Sequence, residues 1–172
     1  MTWTAPAFDE VEEPLEASER AMLEGFLEGV RSSFLIRCSG LTGEQLAERA
    51  VPPSNLSLLG LVRHITEVER NWFRRRFAGQ EVPHLYTRPE VPDADFTELD
   101  PALAARDLDR LVAEQEAARR AVAHLSLDDV FLHDRFGRMS LRWLYSHMIG
   151  EYSGHIGHAD LIRERVDGRT YA

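Results

Sequence analysis

Residues 140–168 read SLRWLYSHMIGEYSGHIGHADLIRERVDG and form a long helical pattern. Ser140 can cap the free amides at its start, and Asp167–Gly168 ends it. Arg163 and Arg165 lie near that end, where positive charge suits the negative end of the helix dipole. Apolar residues recur at intervals of three, four and seven on one face, namely Leu141, Leu144, Met148, Tyr152, Ala159 and Ile162. This stretch therefore predicts an amphipathic helix that buries one face in a core.

Three further amphipathic helices are predicted upstream by the spacing of their apolar residues. They cover residues 15–40, 55–79 and 100–124. Either Asn55 or Ser57 can cap the second of these helices. The third begins at Asp100 and Pro101, which supply a cap and a proline in the first turn. Each helix has an apolar face, so the four together can enclose a single core.

A proline-containing segment, residues 80–98, separates the second and third helices and shows little periodicity. An irregular connection of this length is uncommon unless it joins two helices that run parallel. No convincing strand pattern is found, so the sequence predicts an all-α fold, a four-helix bundle with a long crossover between helices two and three. Residues 1–14 are expected to form an N-terminal arm, and residues 15–172 the bundle domain.

The charged residues exclude several kinds of chemistry. The 172-residue chain has 29 acidic and 20 basic residues, a net charge of −9, and all 20 basic residues are arginine. Without lysine there is no Schiff-base or phosphate-loop lysine, and the negative charge disfavours nucleic acid as a partner.

No apolar run reaches the roughly 20 residues of a membrane span. The acidic N-terminus has no basic leader and Cys38 is the only cysteine, so a cytoplasmic protein is expected.

Four polar side chains cluster in the last predicted helix, namely His147, Glu151, His155 and His158. At about 100° per residue they fall within a sector of about 80°. A carboxylate and an imidazole four residues apart, as at Glu151 and His155, lie close enough to hold one ion. His64, at the edge of the apolar face of the second helix, is the candidate for a third ligand. Two histidines and one carboxylate with open positions suit Fe(II), Ni(II) or Zn(II) in a catalytic site.

The same residues also have an ordinary interpretation. Histidines at the edge of a helix face are usually solvated, and a glutamate–histidine pair would then be a surface ion pair. Gly154 and Gly157 favour a site, because glycine costs about 1 kcal/mol inside a helix and two of them argue for close approach of another helix or a ligand. Tyr152 and Arg63, each adjacent in sequence to a candidate ligand, are candidates for the lining of a pocket.

Two motifs resemble the DinB superfamily. Residues 59–64, LGLVRH, place a histidine in the second helix, and residues 151–164, EYSGHIGHADLIRE, place an acid and a histidine four apart in the last one. The closer resemblance is to a largely uncharacterised bacterial branch related to mycothiol-dependent maleylpyruvate isomerases, and it covers residues 15–168. It implies a four-helix bundle in an up-down-down-up arrangement, often dimeric, that holds a divalent metal.

The resemblance assigns the metal ligands to His64, Glu151 and His155. Many members of the superfamily have histidine at the position of Glu151, whereas the isomerase relatives have glutamate, which favours that branch. His158 stands where many relatives have glutamine and is expected to contact a ligand, while His147 is an alternative ligand. The metal implied is zinc or nickel, with iron as a further candidate.

The function that the resemblance implies is that of a metal-dependent enzyme, a thiol S-transferase or isomerase. It would activate a low-molecular-weight thiol, such as mycothiol, which arrives as a cosubstrate and reacts with a small-molecule substrate. The alternative is a non-catalytic helical bundle that binds metal or dimerises, and an exposed apolar strip on the first helix would favour it. Neither nucleic acid nor a membrane is expected as a partner, whereas a homodimer is.

Overall fold

The computed structural model describes residues 2–171, which are mostly helical with one small two-stranded sheet. The helices are α1 (Glu19–Cys38), α2 (Gly43–Ala47), α3 (Leu58–Glu69), α4 (Ala94–Thr97), α5 (Ala104–Val122) and α6 (Leu141–Asp167). The strands are β1 (Val130–His133) and β2 (Gly137–Ser140). A π-helical segment, Arg70–Phe77, continues α3 directly, and a 3-10 turn, Pro101–Leu103, leads into α5. The predicted helical character of the chain is therefore confirmed.

Side-chain caps fix where the long helices begin. Ser140 caps α6 and Ser57 caps α3, each accepting a hydrogen bond from an amide three residues further on. Of the two predicted caps for α3, the structure thus uses Ser57 and not Asn55. The predicted start of the first helix at Leu15 is wrong by four residues, because Ser18 supplies the cap and Leu15 is 98% exposed.

Residues 130–140 form an antiparallel hairpin, so the expectation of a fold without strands is wrong. The strands pair from Val130 with Ser140 to His133 with Gly137. Each strand has only four residues, too few for an alternation of apolar and polar residues to be distinctive. Gly137 has a φ of 76°, a left-handed conformation that glycine adopts without strain in a tight turn. The hairpin leads directly into α6.

The long helices enclose one apolar core. α1 packs along α6, and α3 packs against both α5 and α6. Each long helix contributes buried side chains, among them Phe34, Leu61, Leu111 and Met148. The N-terminal segment lies on this body, where the amide of Ala5 donates to the carbonyl of Leu41 at 2.8 Å. Among the described residues, no helix is long and apolar enough to cross a membrane.

The crossover that follows the π-helical segment is held down by two side chains of α3. One carboxylate oxygen of Glu67 accepts hydrogen bonds from the amides of residues 85–87, at 2.6 to 3.3 Å. Arg63 donates to the carbonyls of Ala94 and Glu98, the former at 3.1 Å. These bonds hold α4 against α3, which explains how a long irregular connection is ordered.

A hydrogen-bonded network of polar side chains crosses the core. Arg31 of α1 donates to both carboxylate oxygens of Glu69, at 2.7 and 2.6 Å. The hydroxyl of Tyr152 donates to Glu69 at 2.8 Å and accepts a hydrogen bond from Gln115 at 2.9 Å. Burial, and then the charge of Glu69, raises the pKa of Tyr152 well above its usual value, so the hydroxyl stays a neutral donor. These four residues are called the internal network below.

Candidate metal site

The three residues that the sequence singles out lie together between α3 and α6. His64 comes from α3, Glu151 and His155 come from α6, and one potential ligand atom of each lies within 4.8 Å of the other two. Their side chains are partly buried, with exposed fractions of 28%, 30% and 17% respectively. Bonds of about 2.0–2.2 Å to one ion would draw the three atoms slightly closer. These three residues are called the candidate ligand cluster.

A buried carboxylate orients His64. Asp95, in the first turn of α4, has an oxygen 2.9 Å from Nδ1 of His64. A carboxylate at Nδ1 favours a proton there and leaves the lone pair of Nε2 for an ion. The ring of Phe96 lies 4.9 Å from that of His64 and further limits its rotation. The sequence offers no signal for this role of Asp95, which lies 31 residues from His64 in a segment without periodicity.

Glu151 lies between two histidines of its own helix. Its Oε1 is 3.4 Å from Nε2 of His147, and its Oε2 is 3.7 Å from Nε2 of His155. Nε2 of His147 and Nδ1 of His155 are buried and have no hydrogen-bond partner among the described residues. Buried polar atoms are nearly always paired in folded proteins. Of the candidate ligands, His155 has such an unpaired nitrogen, and the donor set of two imidazoles and a carboxylate fits a divalent ion.

His155 is held in its neutral form. Burial, followed by the nearby imidazoles of His64 and His158, lowers the pKa of His155 from 6.5 to about 4. Histidine binds metals through the lone pair of the neutral ring. At neutral pH, His155 is therefore already in the protonation state that a metal ion requires.

The two other histidines of this helix occupy different surroundings. The ring of His147 stacks on Trp143, with centroids 4.7 Å apart and 10° between the planes, and it meets Trp72 edge-on at 4.8 Å. His158 is exposed, and its ring lies 5.6 Å from that of His155. His147 thus joins the candidate ligand cluster to an aromatic surface, whereas His158 lies at the outer edge of the cluster.

The remaining candidates face other parts of the molecule. Tyr152 is buried in the internal network, and Arg63 is buried under the crossover with its guanidinium 4.4 Å from the ring of Tyr86. Gly154 and Gly157 lie on an open side of α6, where an added Cβ atom would meet nothing within 4 Å. No other helix of the described chain therefore packs closely on these glycines, and the expectation that one does is wrong.

Comparison with known proteins identifies one family. A family model described as Mycothiol-S-transferase matches residues 22–168, which include the whole candidate ligand cluster. Neither a curated protein nor a solved structure matches the chain significantly. The family match is consistent with the resemblance to the DinB superfamily seen in residues 59–64 and 151–164. Because the match covers most of the sequence, the chain belongs to the mycothiol S-transferase family.

Proposed function

We propose that this protein is a divalent-metal-dependent enzyme that activates a low-molecular-weight thiol, such as mycothiol, for transfer to a small molecule or for isomerisation of one. The observation that carries the proposal is the convergence of His64, Glu151 and His155 in a chain of the mycothiol S-transferase family. The proposal includes the arrangement of the long helices as an up-down-down-up four-helix bundle, residues 15–172, preceded by an arm, residues 1–14.

The residues of the site would act as follows. His64, Glu151 and His155 would hold the ion, and Asp95 would keep His64 in the tautomer that binds it. A divalent ion favours the thiolate form of a bound thiol near neutral pH, which makes the sulfur a stronger nucleophile. Three protein ligands leave positions open for that thiol. Zinc and nickel suit this donor set, with iron as the third candidate.

The reacting thiol would come from a cosubstrate and not from the chain. Cys38, the only cysteine, is fully buried at the end of α1. Burial raises the pKa of its thiol to about 12. Such a thiol is almost entirely protonated at neutral pH and is a poor nucleophile. This supports a small-molecule thiol as the sulfur donor.

A non-catalytic bundle that binds metal or dimerises is the second candidate. The open face of α6 at Gly154 and Gly157 favours it, because a helix of a second copy can approach glycine closely. The apolar strip on α1 gives it less support, since Phe26 is the one large apolar residue exposed on this helix among the residues described.

Metal analysis of the purified protein tests the proposed ligands. Wild type is expected to hold about one divalent ion per chain, and His64→Ala and His155→Ala close to none. His124→Ala is the matched control, since His124 is an exposed histidine just beyond the end of α5, and it should keep the wild-type metal content. Negligible metal in wild type and in both ligand variants would refute the site.

Thiol consumption separates the enzyme from the non-catalytic bundle. Mycothiol and 1-chloro-2,4-dinitrobenzene, a model electrophile, are incubated with the metal-loaded protein and with the same protein after chelator treatment. We expect faster loss of thiol with the metal-loaded form. Equal rates in the two samples, with metal bound in the first, would favour the non-catalytic bundle.

A further inference from the structure

An aromatic pocket of about 660 Å³ lies between the π-helical segment, the hairpin and the first turns of α6. Its lining includes Trp72, Phe136, Arg138, Met139, Trp143 and His147. The volume falls in the range of small-molecule sites, about 300–1,000 Å³, and it accommodates a ligand of two fused rings. None of the lining residues belongs to the candidate ligand cluster.

Flat rings form the walls of this aromatic pocket. Trp72 and Trp143 lie 5.4 Å apart with 58° between their planes, and His147 stacks on Trp143. Trp143 and Phe136 are 38% and 61% exposed, so much of their surface is free to contact a ligand. Aromatic side chains bind flat unsaturated rings by offset stacking and edge contacts. Trp72 belongs to the π-helical segment, a conformation that occurs frequently at functional sites.

The lining of the aromatic pocket includes one arginine, Arg138, and no acidic residue, although the chain carries a net charge of −9. Arg138 is exposed, and its guanidinium forms no hydrogen bond or ion pair with the residues that the structure describes. Free guanidinium groups bind carboxylates through two parallel N–H donors. Aromatic walls with the free guanidinium of Arg138 in the lining therefore suit a planar ligand that carries a negative group.

His147 connects the aromatic pocket to the candidate ligand cluster, because it lines the pocket and lies 3.4 Å from Glu151. A molecule that contacts His147 in the pocket would therefore lie one side chain away from the candidate ligand cluster. We propose that the aromatic pocket holds the acceptor of the thiol, and that this acceptor is a planar aromatic molecule whose negative group is directed to Arg138. The identification of the occupant as the acceptor rests on the proposed function, whereas the binding of an aromatic anion does not.

Isothermal titration calorimetry with 2-naphthoate tests the proposal on the full chain, in both metal-loaded and chelator-treated protein. Wild type should bind 2-naphthoate about tenfold more tightly than 2-naphthalenemethanol, which lacks the charge, or cyclohexanecarboxylate, which lacks the aromatic ring. Trp143→Leu should weaken 2-naphthoate binding about tenfold. Arg138→Gln should remove the preference for the acid over the alcohol.

Two control variants carry the same kinds of substitution at positions away from the aromatic pocket. Trp3→Leu changes an exposed tryptophan of the N-terminal segment, Arg120→Gln changes an exposed arginine of α5, and both should bind like wild type. Phe136→Ala, in the turn of the hairpin, replaces Trp143→Leu as the test if the latter does not fold. Equal affinity in all variants, or no binding by wild type, overturns the proposal. Displacement of 2-naphthoate by mycothiol also overturns it, because the pocket would then belong to the thiol.

Different results would refute the assignment of the aromatic pocket and the proposed function. Trp143→Leu should retain the wild-type metal content, since Trp143 is not a candidate ligand. Loss of the predicted 2-naphthoate binding with metal and thiol consumption intact would remove only the pocket assignment. Binding of 2-naphthoate by a wild-type protein that holds no metal would refute the proposed function and leave the pocket as a site for aromatic anions.

Discussion

Glu151 and Tyr152 are neighbours on α6, yet they belong to two polar clusters that are satisfied to different degrees. In the internal network, Tyr152 both donates and accepts, and Glu69 accepts three hydrogen bonds. In the candidate ligand cluster, Glu151 accepts no hydrogen bond from the residues described, and a nitrogen of His155 is buried without a partner. The internal network is complete once the chain folds, whereas the candidate ligand cluster has capacity left for a bound ion.

This difference separates groups that stabilise the protein from groups that bind. A charge in the core must be paired, because leaving it without its partner costs several kcal/mol. A binding site instead keeps donor or acceptor atoms unused and partly exposed. Substitutions in the two clusters should therefore change different properties of the protein.

Replacement of Arg31 should cause the largest loss of stability. Arg31→Met leaves Glu69 buried with the Tyr152 hydroxyl as its remaining donor, and removal of one partner of a buried ion pair costs about 3–5 kcal/mol. Urea denaturation followed by circular dichroism measures this loss.

The counterpart in the candidate ligand cluster, Glu151→Gln, should change the free energy of unfolding by less than about 0.5 kcal/mol while lowering the metal content. Equal losses of stability in the two variants would contradict the distinction.

Replacement of Asp95 should weaken metal binding without removing a ligand. In Asp95→Asn an amide faces Nδ1 of His64, so the tautomer that binds metal is less favoured, and the affinity for zinc should fall about tenfold to hundredfold. Competition with a chelator of known affinity measures the change. Asp93→Asn, at an exposed acid two residues earlier, is the control and should bind zinc like wild type. An unchanged zinc affinity in Asp95→Asn would show that this carboxylate does not orient His64.

Glu28 contacts Arg31 of the internal network and should make the stability of the protein depend on pH. Its carboxylate lies 2.7 Å from Arg31 and 2.5 Å from Arg119. Burial opposes its ionisation, but the two arginines outweigh burial and hold its pKa below 4.5. A carboxyl group with a lower pKa in the folded state stabilises the protein above the unfolded pKa, and this contribution is lost as the pH falls through the folded pKa. Glu28→Gln should therefore cost about 1 kcal/mol at pH 7 and less at pH 3, by urea denaturation. The same loss at both pH values would exclude an ionised Glu28 as the cause.

The last expected change in stability has the opposite sign. Gly154→Ala should stabilise the protein by about 0.5–1 kcal/mol, because alanine is the better helix former and its methyl group enters open space. Thermal denaturation with sedimentation analysis of the oligomeric state measures both stability and association. Gly168→Ala is the control expected to destabilise, since Gly168 ends α6 with a φ of 78°. Destabilisation or loss of a dimer in Gly154→Ala would instead show that a second copy packs on this face.

Much of the fold could be predicted because its signals are local or periodic. Ser57 and Ser140 mark the starts of α3 and α6, and apolar residues at intervals of three and four mark their buried faces. The same periodicity predicts that Glu151 and His155 share a face. The assignment of His64 as a third ligand also required its position at the edge of an apolar face and the resemblance to a known family.

The rest depends on contacts between distant residues that leave no pattern in the sequence. The crossover is held by Glu67 and Arg63 through backbone amides and carbonyls, which do not depend on the identity of the side chain. Nothing in its sequence therefore indicates that Asp95 reaches His64. The strands of the hairpin are too short to show alternation. The conformational cost of glycine in a helix is the same on open and packed faces, so Gly154 could not be assigned to one of them.

The hydrogen bond between Tyr152 and Glu69 also governs the spacing of the candidate ligands. It connects α6 to the end of α3, the two helices that carry Glu151 and His64. Rotation or sliding of either helix would break this buried hydrogen bond, which therefore opposes a change in their relative register. The candidate ligand atoms would thereby be placed before an ion binds, and little ordering entropy would be lost on binding. The internal network serves the candidate ligand cluster as the rigid support of a preorganised receptor.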